Sequence, residues 1–201
     1  MFQLAQRVPL LRSRADRHHN PYDLLMEGQA NSTQVTWEGL ARSSDAFKSP
    51  LVDEDPTPFT KVHLVLRDKN GKEEASLTFR MITGATLRNG KWFSLQNLLD
   101  AKPWNVSVLK MSNFEIFSVE GSAANGRRFF VRQPASGCDD FPGVLYVSSK
   151  KICDWEKPIS YFWAMKDGGL NQFADAKSAA EFILFGEMDV ALQRLYYLTE
   201  E

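Results

Sequence analysis

The stretch that decides the fold is TKVHLVLRDKNGKEEASLTFRM, at residues 60–81. Along residues 60–67, Val62, Leu64 and Leu66 alternate with mostly polar neighbours, which is the period of a half-buried β-strand. Asn70-Gly71 follows, and this dipeptide is the strongest short-range signal for a hairpin turn. The chain then returns with apolar side chains at every second position: Ala75, Leu77, Phe79 and Met81. We predict an antiparallel hairpin, with His63 solvated on its polar face.

Similar short segments surround this hairpin. Residues 114–132 predict a second hairpin around a turn at 121–126, and further strands are predicted at 91–94, 106–110, 143–148 and 159–165. Residues 182–185 are a candidate last strand, whereas 174–180 fit helix or strand. Strands at such regular intervals favour an all-β fold, an antiparallel β-sandwich or barrel, over alternating strands and helices.

The two ends differ from this body. Residues 1–21 carry four arginines and one acid and predict a basic N-terminal tail or propeptide, of which residues 1–20 are expected to be dispensable for folding. Arg14-Ala15-Asp16-Arg17 has the spacing of a processing site, and no apolar run there reaches the length of a secretory signal. Residues 22–188 are expected to form the β domain. Apolar positions 191, 192, 195 and 198 predict an amphipathic C-terminal helix over residues 189–201.

Composition excludes several classes of protein. The 201 residues include 24 Lys and Arg against 25 Asp and Glu, which argues against a dedicated nucleic-acid binder. Hydrophobic residues make up 43%, enough for a core, so wholesale disorder is not expected. No apolar run approaches the roughly 18 residues of a membrane span.

Motifs that carry catalytic chemistry are missing from the sequence. It contains no Gly-x-Ser-x-Gly, no G-x-G-x-x-G and no P-loop pattern, so no cofactor is expected. Loop carboxylates can bind calcium through oxygen ligands, although the spacing of an EF-hand is absent and solvated loop acids are the simpler interpretation. The calcium candidates are Asp53, Asp55, Asp139 and Asp140.

Aromatic residues near predicted loops are the most distinctive feature. Exposed Trp rings stack on sugars or anchor partner proteins, whereas buried rings fill a core, and one sequence does not separate the two. Two tryptophans follow a loop marker and precede a polar residue that could bond a hydroxyl. Paired arginines at a strand start could bind an anion. The binding candidates are Trp104, Trp155, Asn105, Glu156, Arg127 and Arg128.

Cysteines and glycosylation sequons bear on the compartment. In a reducing compartment Cys138 and Cys153 are two thiols; in an oxidising one they can close a loop of about 15 residues, worth roughly 3 kcal/mol. N-glycosylation sequons begin at Asn31 and Asn105, and this pair slightly favours a secreted protein.

The motifs in order resemble an uncharacterised extracellular module of secreted proteins from marine invertebrates such as lancelets and molluscs. The resemblance covers roughly residues 22–188. It rests on residues 49–53, 75–79, 92–94, 103–104, 117–121, 127–131, 137–138, 153–156 and 161–164. It implies secretion and a Cys138–Cys153 disulfide, but supplies no activity. The chain departs from the module in lacking a further cysteine pair and in having Val144 where a Trp is usual.

Two classes of function remain. The first is a secreted, non-catalytic β-domain that binds glycans or extracellular proteins or serves a matrix role. The alternative is a small-molecule enzyme, an oxidase, luciferase-type protein or hydrolase, with an aromatic-lined cavity. The first predicts an extracellular location; the alternative location is cytoplasmic. A closed pocket with convergent buried polar groups would favour the enzyme, and a shallow surface would favour the binder.

Overall fold

The computed structural model describes residues 7–14, 20–28, 46–55, 57–122, 126–132, 144–148, 162–165 and 176–188, and these are mostly β with short helices. The larger of two antiparallel sheets has six strands in the order β2-β1-β11-β3-β4-β5. Their bounds are Arg7–Arg14 (β1), Phe47–Lys48 (β2), Phe59–Arg67 (β3), Glu73–Arg80 (β4), Leu98–Lys102 (β5) and Glu181–Met188 (β11).

The smaller sheet has the order β10-β9-β8-β7-β6. Its strands are Ile116–Ser118 (β6), Arg127–Arg132 (β7), Leu145–Ser148 (β8), Phe162–Met165 (β9) and Ala176–Ala179 (β10). Pairing of β6 with β7 confirms the second predicted hairpin. Within the described ranges neither sheet closes on itself, so the mostly β, antiparallel class is confirmed and the barrel alternative is not.

The first predicted hairpin is strands β3 and β4. Lys61 opposes Arg80 and Leu64 opposes Leu77 in the register. Asp68 stabilises the turn, because its Oδ1 accepts from the amides of Asn70 and Lys72 at 2.8 and 2.9 Å. The hairpin therefore forms where alternation and turn chemistry predict it.

Aromatic rings join the two sheets through a shared core. Phe129 of β7 lies 4.9 Å from Phe182 of β11, between ring centroids. Phe79 of β4 meets Phe117 of β6 edge-on at 6.1 Å. Edge-to-face and tilted pairs of this kind add to the stabilisation that burial itself provides. Trp92 lies 5.4 Å from Phe79 of the larger sheet and 6.5 Å from Phe129 of the smaller one, between ring centroids, which places it in a core between the sheets.

Strand β1 corrects the expected N-terminal tail. Residues 7–14 lie between β2 and β11, and Leu10 and Leu11 are fully buried. Arg12 is buried beside Glu181, with Nη2 and Oε1 2.6 Å apart, so the arginine that suggested a solvated tail is neutralised inside the sheet. Pro9 stands where the register shifts, a position that tolerates a missing amide donor. Residues 1–6 and 15–19 lie outside the described ranges.

Local capping explains the helices. Helix α1, Pro21–Met26, begins at Asn20, whose side chain accepts from the amide of Tyr22. Helix α2, Val106–Met111, replaces the strand predicted at 106–110, because Asn105 accepts from two amides of its first turn. Short 3-10 turns form at Pro50–Val52 and Leu95–Asn97, and residues 91–94 are turn rather than strand. The predicted helix at 189–201 lies outside the described residues.

Candidate functional site

A surface cleft of about 580 Å³ opens where β3 begins and β4 ends. The segment after β4, residues 81–85, forms one wall, and Leu99 of β5 adds to it. Ile82 and Leu99 are 41% and 37% exposed, so aliphatic surface is available in the cleft. The polar lining consists of Asp55, Thr57, Thr60, Lys61, Arg80 and Thr83.

A row of charged residues crosses the larger sheet at the cleft. Arg7 on β1 opposes Glu187 on β11, Glu187 opposes Lys61 on β3, and Lys61 opposes Arg80 on β4. Directly opposed residues of antiparallel strands share a face, so these four side chains form one charged row. Lys61 Nζ donates to Glu187 Oε1, while Lys61 remains 41% exposed. The row contains three cations and one anion.

His63 follows Lys61 by two residues on β3, so it lies on the same face as this row, and it contacts the row through Glu187. Its Nε2 is 2.9 Å from Glu187 Oε2, and its Nδ1 is 2.9 Å from Thr78 Oγ1. In the neutral ring, Nε2–H donates to the carboxylate and Nδ1 accepts from the threonine hydroxyl. The ring is only 4% exposed, which corrects the expectation of a solvated histidine. The sequence does not show the reason, which is that both strands flanking β3 supply a partner: Thr78 on β4 and Glu187 on β11 bond the two ring nitrogens.

Burial and neighbouring charges shift two pKa values in this cluster. Burial lowers the pKa of His63, and the positive charge of Arg7 acts in the same direction. Burial by itself would raise the pKa of Glu187, but hydrogen bonds from Lys61 and His63 outweigh it and lower that pKa. At neutral pH the cluster therefore holds an ionised Glu187 and a neutral imidazole.

The order Thr78–His63–Glu187 is hydroxyl, imidazole, carboxylate, as in hydrolases. A hydrolase base must reach a proton of the substrate or nucleophile. Here both ring nitrogens are bonded within the protein and the ring is buried, so a substrate in the cleft does not reach it. The arrangement satisfies a buried polar group and fixes the carboxylate that holds Lys61.

Two of the predicted binding residues have structural roles at the end of β5. Trp104 is 2% exposed and belongs to the core, so its ring does not offer a face for stacking as predicted. Asn105 is exposed and caps α2, with Oδ1 2.9 Å from the amide of Ser107. Its sequon therefore lies at the surface, at the start of a helix.

The paired arginines of β7 are engaged within the protein. Arg127 is 6% exposed and its backbone pairs with Ser122. Arg128 Nη1 donates to the carboxylate of Glu120 at 2.8 Å, and its guanidinium lies 4.0 Å from the centre of the Tyr22 ring. A cation stacked on an aromatic ring and paired with an acid stabilises the surface locally.

The calcium candidates that the structure describes do not converge. Asp53 Oδ1 contacts Lys48 Nζ at 3.0 Å and Arg88 Nη1 at 3.3 Å, so its carboxylate is already neutralised by two cations. Lys48 is 1% exposed and also donates to the carbonyl of Gly28, which ties this carboxylate into the fold. Asp55 is exposed in the cleft. Among the described residues no three His, Cys, Asp or Glu side chains form a metal-binding group.

The remaining predicted site residues lie outside the described ranges. They are Trp155, Glu156, Cys138, Cys153, Asn31, Asp139 and Asp140.

Sequence reasoning missed the charged row and the cleft. The hairpin register could have placed Lys61 opposite Arg80, because alternation and the Asn-Gly turn fix which residues pair. No sequence signal places Glu187 beside them, since it comes from a strand 126 residues away from Lys61.

Comparison of the chain with protein-family models, with characterised proteins and with solved structures gives no match. The resemblance to the invertebrate module therefore stays a hypothesis. In the part of the chain that the structure describes, no helix has the length and apolar character to span a membrane.

Proposed function

We propose that the protein is a secreted, non-catalytic β-domain whose cleft at the start of β3 binds a glycan or an extracellular protein. The two sheets, joined by the Phe129–Phe182 contact, fit a β-sandwich that carries this cleft on one end. A matrix role is included in this proposal: the bound glycan or protein is then a structural component of the extracellular matrix.

The lining of the cleft carries the proposal. Thr57, Thr60 and Thr83 place hydroxyl groups in the cleft, and Ile82 and Leu99 supply exposed aliphatic surface beside them. Thr60 donates its hydrogen to the carbonyl of Glu187 and Thr57 accepts from the amide of Phe59, so Thr60 is left to accept from a ligand and Thr57 to donate to one. Ligand sites combine apolar contact with a few polar groups that fix orientation. An open cleft of this chemistry suits a chain segment or a few sugar residues.

The polar groups that do converge support a binder rather than the alternative enzyme. His63, Thr78 and Glu187 bond one another, and none of the three is among the residues that line the cleft. An active site needs such groups within reach of the substrate.

An extracellular location is supported by the exposure of Asn105 within its sequon. The second support is the resemblance to a secreted module.

The experiment is a glycan array and an extracellular protein panel probed with two variants. Ile82→Trp places a large ring in the cleft, whereas Val108→Trp places one on α2 at a residue of equal exposure, 43% against 41%. We expect Ile82→Trp to abolish binding and Val108→Trp to leave it unchanged. Equal binding by both folded variants would show that the ligand does not use this cleft.

A further inference from the structure

Two positively charged side chains, Lys61 and Arg80, face each other at the cleft, and only one of them has an acidic partner among the described residues. Lys61 and Arg80 are directly opposed on neighbouring strands, an arrangement that destabilises a sheet when nothing offsets it. Glu187 pairs with Lys61. Arg80 is exposed and forms no ion pair within the described ranges, and Asp55, although it lines the cleft, pairs with neither cation there.

We propose that the cleft selects an anionic glycan, a sulfated or carboxylated polysaccharide, whose acidic group binds between Lys61 and Arg80. The inference rests on the proposed function and specifies its ligand. The anion offsets the repulsion between the two cations, while Thr83 and the remaining hydrogen-bonding capacity of Thr57 and Thr60 are available to sugar hydroxyls. Hydroxyls beside paired cations favour an acidic sugar over an acidic peptide, which brings few hydroxyl groups.

The same geometry couples anion binding to the protonation of His63. Glu187 offers one carboxylate oxygen to Lys61 and the other to His63. With a neutral imidazole the carboxylate balances Lys61; with a charged imidazole it must balance both, and the local charge rises by one. Binding of an anion beside Lys61 therefore strengthens on acidification, and by linkage the bound anion favours protonation of His63.

Other charges that face this cluster come from each neighbouring strand. Arg7 on β1 and Lys61 on β3 oppose protonation of His63, and Arg80 lies opposite Lys61 on β4. On β5, Asp100 opposes Thr78, the residue that bonds the ring, and lies one strand further away. The two arginines attract the anion in either protonation state of His63.

The anion is tested by calorimetric titration with dextran sulfate and with unsulfated dextran of the same length, on the full chain. Polygalacturonate and poly-glutamate are titrated in parallel, to separate carboxylated sugars from acidic peptides. We expect dextran sulfate or polygalacturonate to bind and unsulfated dextran not to bind. Arg80→Gln should weaken binding about fivefold, the change that roughly 1 kcal/mol at an exposed charge pair corresponds to.

Lys110→Gln is the matched control, because Lys110 is an exposed cation on α2 outside the cleft lining. If Arg80→Gln and Lys110→Gln weaken binding equally, or if unsulfated dextran binds as well as dextran sulfate, the inference is wrong. Preferential binding of poly-glutamate also overturns it. Should a neutral ligand bind and be blocked by Ile82→Trp but not by Arg80→Gln, the proposed function stands and the anionic ligand does not.

The coupling is tested by repeating the titrations at pH 7.5 and 5.5 with His63→Gln, whose amide keeps a donor near Glu187. Both proteins gain the same general positive charge on acidification, so the difference between them isolates His63. We expect the affinity of the wild type to rise more than that of His63→Gln. Equal increases, together with a His63 NMR titration that dextran sulfate does not move, would overturn the coupling.

Discussion

The carboxylate of Glu187 lies 2.9 Å from Nε2 of His63, although the two residues are 124 positions apart in the chain. Its other carboxylate oxygen accepts a hydrogen bond from Lys61, which lines the cleft. One carboxylate thus connects a buried imidazole with an ammonium that faces solvent. Stability and the charge of the cleft consequently depend on the same group.

The free energy of unfolding should fall on acidification, and His63 should account for the first part of the fall. Its pKa is below the unfolded value of 6.5, chiefly through burial, so the unfolded chain binds the proton more readily. The stabilisation is complete above that value and is lost as pH falls through the folded pKa. Glu187 also lowers the free energy of unfolding as the pH falls below 4.5, its unfolded pKa, because its pKa in the folded chain is lowered as well.

Urea unfolding between pH 7.5 and 4.5 measures this dependence. His63→Gln should show a smaller loss of stability between pH 7 and 5 than the wild type does. A variant with the same slope would mean that His63 titrates alike in the folded and unfolded chains.

Features whose interacting residues are close in sequence could be predicted, and features whose partners are distant in sequence could not. The β3–β4 hairpin was predictable because alternation and the Asn-Gly turn act within about twenty residues. Helix α2 was mistaken for a strand, since its valines favour strands while the decisive cap, Asn105, is a single side chain. The roles of His63 and of Arg12 in β1 were not predictable, because their partners, Glu187 and Glu181, lie on β11 at the far end of the described chain.

Leu11 should be essential to the fold, contrary to the expectation that residues 1–20 are dispensable. It is fully buried in β1, so Leu11→Ala should lower the free energy of unfolding by about 2–5 kcal/mol. Leu99→Ala is the control, because Leu99 is 37% exposed and should lose less than about 1 kcal/mol. Chemical denaturation compares the two, and equal effects would place Leu11 outside the core.

Tyr22 should lose its proton at a higher pH than an ordinary tyrosine does. Burial and then a hydrogen bond to Glu120 raise its pKa to about 12, against the opposing charge of Arg128. Because the folded pKa exceeds the unfolded value of 10.0, the associated stabilisation is present below pH 10 and is lost as pH rises toward 12. The tyrosinate absorbance of the wild type minus that of Tyr22→Phe isolates this group. A component that titrates near pH 10 would show that the contacts with Glu120 are not made in solution.

Trp104 and Trp92 form a matched pair that tests whether a buried indole is structural and what its N–H contributes. Both rings are buried, at 2% and 0% exposure. Trp92 Nε1 donates to the carbonyl of Leu87 at 3.0 Å, whereas Trp104 Nε1 has no hydrogen-bond partner among the described residues. Substitution by Phe removes a similar volume from each site, but only at position 92 does it leave a buried carbonyl unpaired. Trp92→Phe should therefore lower the free energy of unfolding by about 1–3 kcal/mol more than Trp104→Phe does.

Trp104→Ala, which removes the whole ring, should lower the free energy of unfolding by about 3–5 kcal/mol and leave ligand binding by the folded fraction unchanged. Urea denaturation and a binding assay on the same samples measure both quantities. Loss of binding in a fully stable Trp104→Ala protein would contradict the core position and restore the stacking role that the sequence suggested.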